Sequence, residues 1–153
     1  MKRFKNYLNV FWINGEKMNK KRFLGLDIGT KRIGVSISDP LFITAQPLKV
    51  IYRVSDEKAV EQIKEIIKEY DIETIVAGLP KNMDGSVGVQ AQNCIDFMKE
   101  FSSVNVIFED ERLTSRQAEF ILKEQGKKYT KQKQLVDIES ACLILQQYMD
   151  KQS

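Results

Sequence analysis

The chain has no histidine, only two cysteines, three prolines and one tryptophan, and no apolar run of the roughly 20 residues needed to cross a membrane. The missing histidine excludes Ser-His and Cys-His nucleophilic machinery, histidine general bases and histidine metal ligands. The two cysteines, Cys94 and Cys142, lie far apart within apolar helical patterns. Zinc needs about four nitrogen or sulfur ligands, so these two thiols cannot supply a site. They read as buried free thiols, not as a disulfide. Chemistry is left to carboxylates, lysines, arginines and hydroxyls. There is also little net charge: the formal +3 resides in residues 1–17 (Lys2, Arg3, Lys5 and Lys17 against Glu16), and Met18 to Ser153 is neutral. Any electrostatic argument about partners must therefore be local.

What is present is one domain's worth of chain, 153 residues with 42% hydrophobic and 29% charged side chains, the composition of an ordinary globular protein. The N-terminal segment resembles a signal peptide only superficially, because Asn9 interrupts its apolar run and no small-residue cleavage site follows. Gly15-Glu16-Lys17 ahead of Met18 can be encoded by a ribosome-binding-like stretch. The expectation is therefore a native start at Met18, which N-terminal mass determination checks. Residues 1–21 read as an extension, 22–150 as the folded domain and 151–153 as a tail, with the cytoplasm as default location.

Hydrophobic periodicity orders the domain. Strands at about Arg22–Asp27, Ile33–Ser38 and Thr44–Tyr52 are close enough in sequence for an antiparallel meander. Ser55 caps an amphipathic helix whose apolar positions run Ala59, Val60, Ile63, Ile66, Ile67, Tyr70. A buried strand, Thr74–Ala77, leads through Gly78-Leu79-Pro80 and the loop KNMDGS to a helix starting at Ser86 and reaching Phe101. The strand Val104–Phe108 ends in Glu109-Asp110-Glu111. Thr114 with Gln117 forms a capping box for a helix that stops at Gly126. After the basic loop KKYTKQK, a last helix runs to Asp150. This is an α/β domain, a mixed sheet with helices packed on it.

Four acids stand out. Asp27 ends the first strand, on the face shared with Phe23 and Gly25, at a strand end where α/β proteins gather ligands. Asp110 and Glu111 end the last strand, and alternation sends them to opposite faces, so either can join Asp27. Asp137 falls inside the apolar arc of the last helix, between Ile144 and Tyr148, where an acid is costly unless paired, hydrogen-bonded or metal-bound. Carboxylates converging from separate elements are what phosphodiester hydrolysis with divalent metal requires, and Mg²⁺ or Mn²⁺ needs no histidine. The expected ligands are Asp27, Asp137 and one of Asp110 and Glu111.

The stretches LGLDIGTKRIGVSISD, GLPKNMDGSVGVQAQ, DERLTSRQA and VDIESACLILQQYMD, in that order, resemble the YqgF (RuvX) family of RNase H-fold nucleases from about Arg22 to Asp150. The resemblance implies an RNase H-like five-stranded mixed sheet flanked by helices, related to resolvases of the RuvC type. It implies processing of the 5′ end of precursor 16S rRNA, or alternatively resolution of four-way DNA junctions. By motif it carries catalysis to Asp27, to Asp110 or Glu111, and to Asp137. Two departures stand in the last motif: Gln134-Leu135-Val136 where Lys-Gly often precedes the aspartate, and Ser140 where alanine is usual.

Phosphate contacts are expected from Lys31 and Arg32 beside Asp27 and from Lys81 and Asn82 in the KNMDGS loop. The basic run Arg112, Arg116, Lys123, Lys127, Lys128, Lys131 and Lys133 is opposed only by Glu119 and Glu124. Arg112 or a loop lysine would orient the phosphate. The expected partner is RNA, precursor rRNA free or within the ribosome, or branched DNA. Either a monomer or a homodimer is compatible, junction cutting requiring the dimer. Two other classes fit DIGTKR and the basic run: an actin-like nucleotide-binding module, and a catalytically silent ribosome-assembly factor.

Overall fold

The computed structural model of the chain describes residues 10–13, 16–19, 21–111, 114–125 and 133–152. Strands β1 (Val10–Ile13) and β2 (Glu16–Asn19) pair antiparallel with each other, Val10 opposite Asn19, as a two-stranded sheet of their own. The main sheet has five strands in the order β5-β4-β3-β6-β7. They are β3 (Arg22–Ile28), β4 (Arg32–Ser38), β5 (Ala45–Tyr52), β6 (Ile72–Leu79) and β7 (Asn105–Asp110). The first three form the expected antiparallel meander, and β6 and β7 add in parallel to β3. The helices are α1 (Asp56–Tyr70), α2 (Val89–Met98), α3 (Thr114–Glu124) and α4 (Lys133–Gln152). The five-stranded mixed sheet and the element order follow the sequence reading. Among the described residues no helix is long and apolar enough to cross a membrane.

The two faces of the sheet are built differently. Leu24, Leu26 and Ile28 of β3, Ile33, Val35 and Ile37 of β4, and Ile75, Ala77 and Leu79 of β6 share one face, covered by α1 and α2. Ser55 caps α1 as expected, its hydroxyl accepting from the Lys58 amide at 3.2 Å, and Asp71 closes the helix in the left-handed region at φ 52°. The opposite face carries small residues: Gly25, Gly34 and Ser36 admit the backbone of α4, and Gly78 leaves room for the side chains of Glu111 and Ile144. A Cβ on Gly25 would stand 2.8 Å from the Ala141 carbonyl oxygen, and one on Gly34 would overlap the Asp137 carbonyl. Ile144, Leu145 and Met149 of α4 then pack on Val76, each burial worth about 2 kcal/mol.

Polar fasteners hold α4 along its length. The Ser36 hydroxyl donates to the Ala141 carbonyl at 2.7 Å. Gln146 accepts from the Ala45 amide and donates to the Ile43 carbonyl, both at 2.9 Å. Lys151 reaches both carboxylate oxygens of the buried Glu109 at 2.9 and 3.2 Å, and Gln134 bonds the Tyr52 hydroxyl.

Two boundaries need correction. The helix after KNMDGS starts at Val89 with Gly88 as its cap, not at Ser86. The Asp84 carboxylate captures both the amide (2.9 Å) and the hydroxyl (2.6 Å) of Ser86, which holds that residue in the loop. Lys133, read as loop, is the first residue of α4. Cys94 is buried and Cys142 partly so, both as free thiols.

Candidate active site

Asp27 lies one residue before the end of β3, opposite Gly34. Its side chain shares the face on which α4 lies, as alternation requires. Glu111 follows β7, its amide donating to the Leu79 carbonyl at the end of β6 at 3.3 Å. Gly78 makes room for it: a Cβ there would come within 2.5 Å of both the Glu111 carboxylate and the Ile144 side chain. The carboxyl groups of Asp27 and Glu111 approach closely enough for a protonated one to bond the other. Such a bond requires a proton between them. Burial pushes Glu111 up to about 9, with the charge of Asp27 adding to the effect, and pushes Asp27 up to about 6. The pair titrates as a unit that retains a proton at neutral pH.

Asp137, in the first turns of α4, arrives from the other side. Its Oδ2 accepts from the Arg32 guanidinium Nε at 2.7 Å, with both side chains largely buried. Burial raises its pKa, and the Arg32 contact works against that rise. Its charge is felt at Asp27. The close seat of α4 on Gly34 is what delivers it there. Asp110, the last residue of β7, lies by alternation on the face of Phe108 and acts on Glu111 through its charge. Glu111 is thus the acid that meets Asp27.

Among the described residues no three acids stand close enough together to make a ready-formed metal site; Asp137 is taken up by Arg32 instead. The donor set nonetheless suits a hard divalent cation. It is all carboxylate oxygen, and all three groups are pushed up by burial, a cost that a cation among them removes. Asp27 and Glu111 could hold such an ion, with Asp137 joining on release from Arg32.

The expected phosphate-binding residues separate into three groups. Lys31 is exposed and Arg32 half-buried in the turn after Asp27. Lys81 sits half-buried behind β6, and Asn82 is engaged within its loop, bonding the Ser86 backbone and hydroxyl at 3.0 Å each. Arg112, Lys127, Lys128 and Lys131 lie outside the described residues, and so do the side chains of Arg116 and Lys133.

The sequence reading missed Arg53. Its Nη1 donates to the Gly29 carbonyl at 2.8 Å, its Nε donates to Asp56 at 2.8 Å, and its guanidinium lies 4.7 Å from the Phe97 ring centroid. No periodicity or motif links residues 24 positions apart. Cys94 was read only as a buried thiol. It donates to the Ile28 carbonyl at 3.7 Å, and burial, with Glu111 and Asp27 nearby, pushes its thiol up to about 11.

A family model described as RuvX, Holliday junction resolvase, matches residues 21–151. The chain belongs to the RuvX family. It is 45% identical over 134 residues to a protein of Natranaerobius thermophilus named "Putative pre-16S rRNA nuclease", covering 86% of this chain and 95% of that one. A protein of the same name from Clostridioides difficile is 44% identical over 132 residues, covering 84% and 94%. In structure the chain resembles T. thermophilus RuvC in complex with Holliday junction substrate, at TM-score 0.54 and 15% identity, over 87% of this chain and 96% of that one. It also resembles the fowlpox virus resolvase with its junction DNA, at TM-score 0.53 and 18% identity, over 86% and 98%. These likenesses establish the RNase H-like fold. The family, with relatives named as nucleases, makes the chain an enzyme of the nuclease class, a hydrolase.

Proposed function

We propose that the chain hydrolyses phosphodiester bonds in RNA with the help of a divalent metal, and that its substrate is the 5′ end of precursor 16S rRNA in the cytoplasm. The observation that supports this reading is the approach of Glu111, just after β7, to Asp27 of β3, with Asp137 of α4 held by Arg32 near enough for its charge to act on Asp27. The names of the relatives at 44 to 45% identity support the rRNA substrate. Mg²⁺ or Mn²⁺ bound among these acids supplies charge neutralisation at the phosphate and an activated water.

The chain's own groups do the rest. Asp27 and Glu111 hold a proton that must leave before both can act as anionic ligands, so loading the site releases acid. Arg32 compensates Asp137 in the metal-free protein. Were Asp137 to join a metal site, the Arg32 guanidinium would lose its carboxylate partner and be available to a phosphate oxygen. Lys31, exposed in the same turn, adds a second positive charge at the strand end.

Resolution of four-way DNA is the second reading, favoured by the family model's description. One experiment separates the two. Precursor 16S rRNA and a four-way junction are incubated with wild type and Asp27→Asn, in Mg²⁺, Mn²⁺ or EDTA. The proposal expects metal-dependent cutting of the rRNA 5′ end, lost in Asp27→Asn. Symmetric junction cutting with intact rRNA would transfer the conclusion to resolution. Failure to cut either by folded protein would remove the nuclease reading altogether.

A further inference from the structure

A cavity of about 850 Å³ lies on the far side of the Asp27 turn, between Gly29-Thr30, the start of α1 and the exposed side of α2. Its size is that of small-ligand sites. Nothing in the acid site uses it, yet the two share a wall. Ile28 and Gly29, immediately after Asp27, line it, and so does Cys94 of α2, whose thiol bonds the Ile28 carbonyl. Thr30, on the rim, is three residues from Asp27 and so within roughly 10 Å along the chain.

The chemistry of the walls selects the occupant. Four carboxylates, Asp56, Glu57, Asp96 and Glu100, face one cation, Arg53. That cation is already bonded to Asp56 and to the Gly29 carbonyl, so a phosphate is repelled and not captured. The Arg53 guanidinium lies over the Phe97 ring, 4.7 Å from its centroid, and its side chain, 14% exposed, lines the cavity, so the part that faces the cavity is a fixed planar group on which an aromatic ring can stack. Gln90 and Asn93, both exposed on α2, bring amide groups that donate and accept along a base edge. The carboxylates accept from exocyclic amino and ring N–H groups. Val54 stands on the rim 78% exposed, an apolar surface with nothing over it among the described residues.

We propose that this cavity receives one unpaired purine base of the RNA, next to the scissile phosphate, stacked on Arg53 and read by Gln90 and Asn93. The proposal rests on the RNA-nuclease reading for its substrate and adds base readout to it. The acid site handles the phosphate, and the cavity, poor in free positive charge, handles the neutral base beside it.

Two arms test it, one of them independent of cleavage. In the first, the uncharged nucleosides guanosine and adenosine, and inorganic phosphate alone, are titrated into metal-free protein while the side-chain amide NMR signals of Gln90 and Asn93 are followed. Saturable shifts with the nucleosides, none with phosphate, and loss of the Gln90 shift in Asn93→Trp, which fills the cavity from an exposed position, are expected. Absent shifts, or equal shifts with phosphate, overturn the cavity assignment. In the second arm, RNAs abasic at one position each are cleaved. One position near the cut should raise KM about tenfold in wild type, the scale of a lost base stack, and the penalty should vanish in Asn93→Trp. A flat profile from an active enzyme overturns the cavity and leaves the nuclease standing. Saturable nucleoside binding by a protein that cuts no RNA does the reverse.

Discussion

Glu111→Gln should make the metal-free protein more stable while disabling it. In the folded chain Glu111 is pushed up to about 9 by burial and by Asp27, from an ordinary 4.5. A carboxyl whose folded pKa is raised contributes most stability below its unfolded pKa and loses it as pH climbs toward the folded value. At pH 8 the unfolded chain has released this proton and the folded chain has not. Each pH unit in that window costs about 1.4 kcal/mol, which bounds the penalty near 5 kcal/mol. Glu111 is partly open to solvent and shares its proton with Asp27, so about 2 kcal/mol is the working figure. Glutamine can donate an N–H to Asp27 without titrating. The variant should therefore melt about 5 °C above wild type in EDTA at pH 8. At pH 5 the gain should largely disappear. Mg²⁺ should raise the melting temperature of wild type at pH 8 and leave the variant nearly unmoved, with cleavage down at least about a hundredfold. The assay is thermal unfolding at both pH values, with and without metal. A Glu111→Gln variant less stable than wild type at pH 8, or a difference that ignores pH, would refute the buried carboxyl pair.

Three further changes probe the neighbouring supports. Arg32→Ala removes the 2.7 Å partner of Asp137; it should cost about 1 kcal/mol in urea unfolding and tighten Mn²⁺ binding by calorimetry, because the freed acid becomes a ligand. Unchanged Mn²⁺ affinity would show that Asp137 does not reach the metal. Gly34→Ala drives a Cβ into the Asp137 carbonyl, and since backbone cannot rotate away, about 3 kcal/mol of stability and most activity should be lost together; unfolding indistinguishable from wild type would mean that α4 is not seated on β4. Ser140 is fully buried and its hydroxyl has no partner among the described residues, so Ser140→Ala should stabilise by about 1 kcal/mol, as read from the urea midpoint, and a loss would reveal a partner for that hydroxyl.

The strands and helices were legible because they rest on local rules. The alternation of Phe23-Leu24-Gly25-Leu26-Asp27 and the three-four spacing of α1 each state which side is buried, and the two cores follow that division. Helix starts were less secure where a side chain outcompetes the helix, as Asp84 does for the Ser86 amide. The acids were legible in kind but not in pairing. Asp27 could be selected because it ends a strand where ligands gather, and Asp137 because it carries a charge into the apolar arc of its helix. The choice between Asp110 and Glu111 turns on Gly78 in another strand, whose missing side chain opens the path to Asp27.

Arg53 and the cavity beside it had no local signature at all, since residues from the end of β3, the segment after β5, α1 and α2 meet there only after the sheet is formed. The glycines and serines of the α4 face lie between these extremes. A sequence shows Gly25, Gly34, Ser36 and Gly78 as small. Only the packed helix shows that one of them admits the backbone that carries Asp137, and another the carboxylate of Glu111. The same absence of side chains that lets α4 come close therefore fixes the geometry of the acids. That is why Gly34→Ala, a change that leaves every carboxylate in the sequence, should disable the site as surely as removing one.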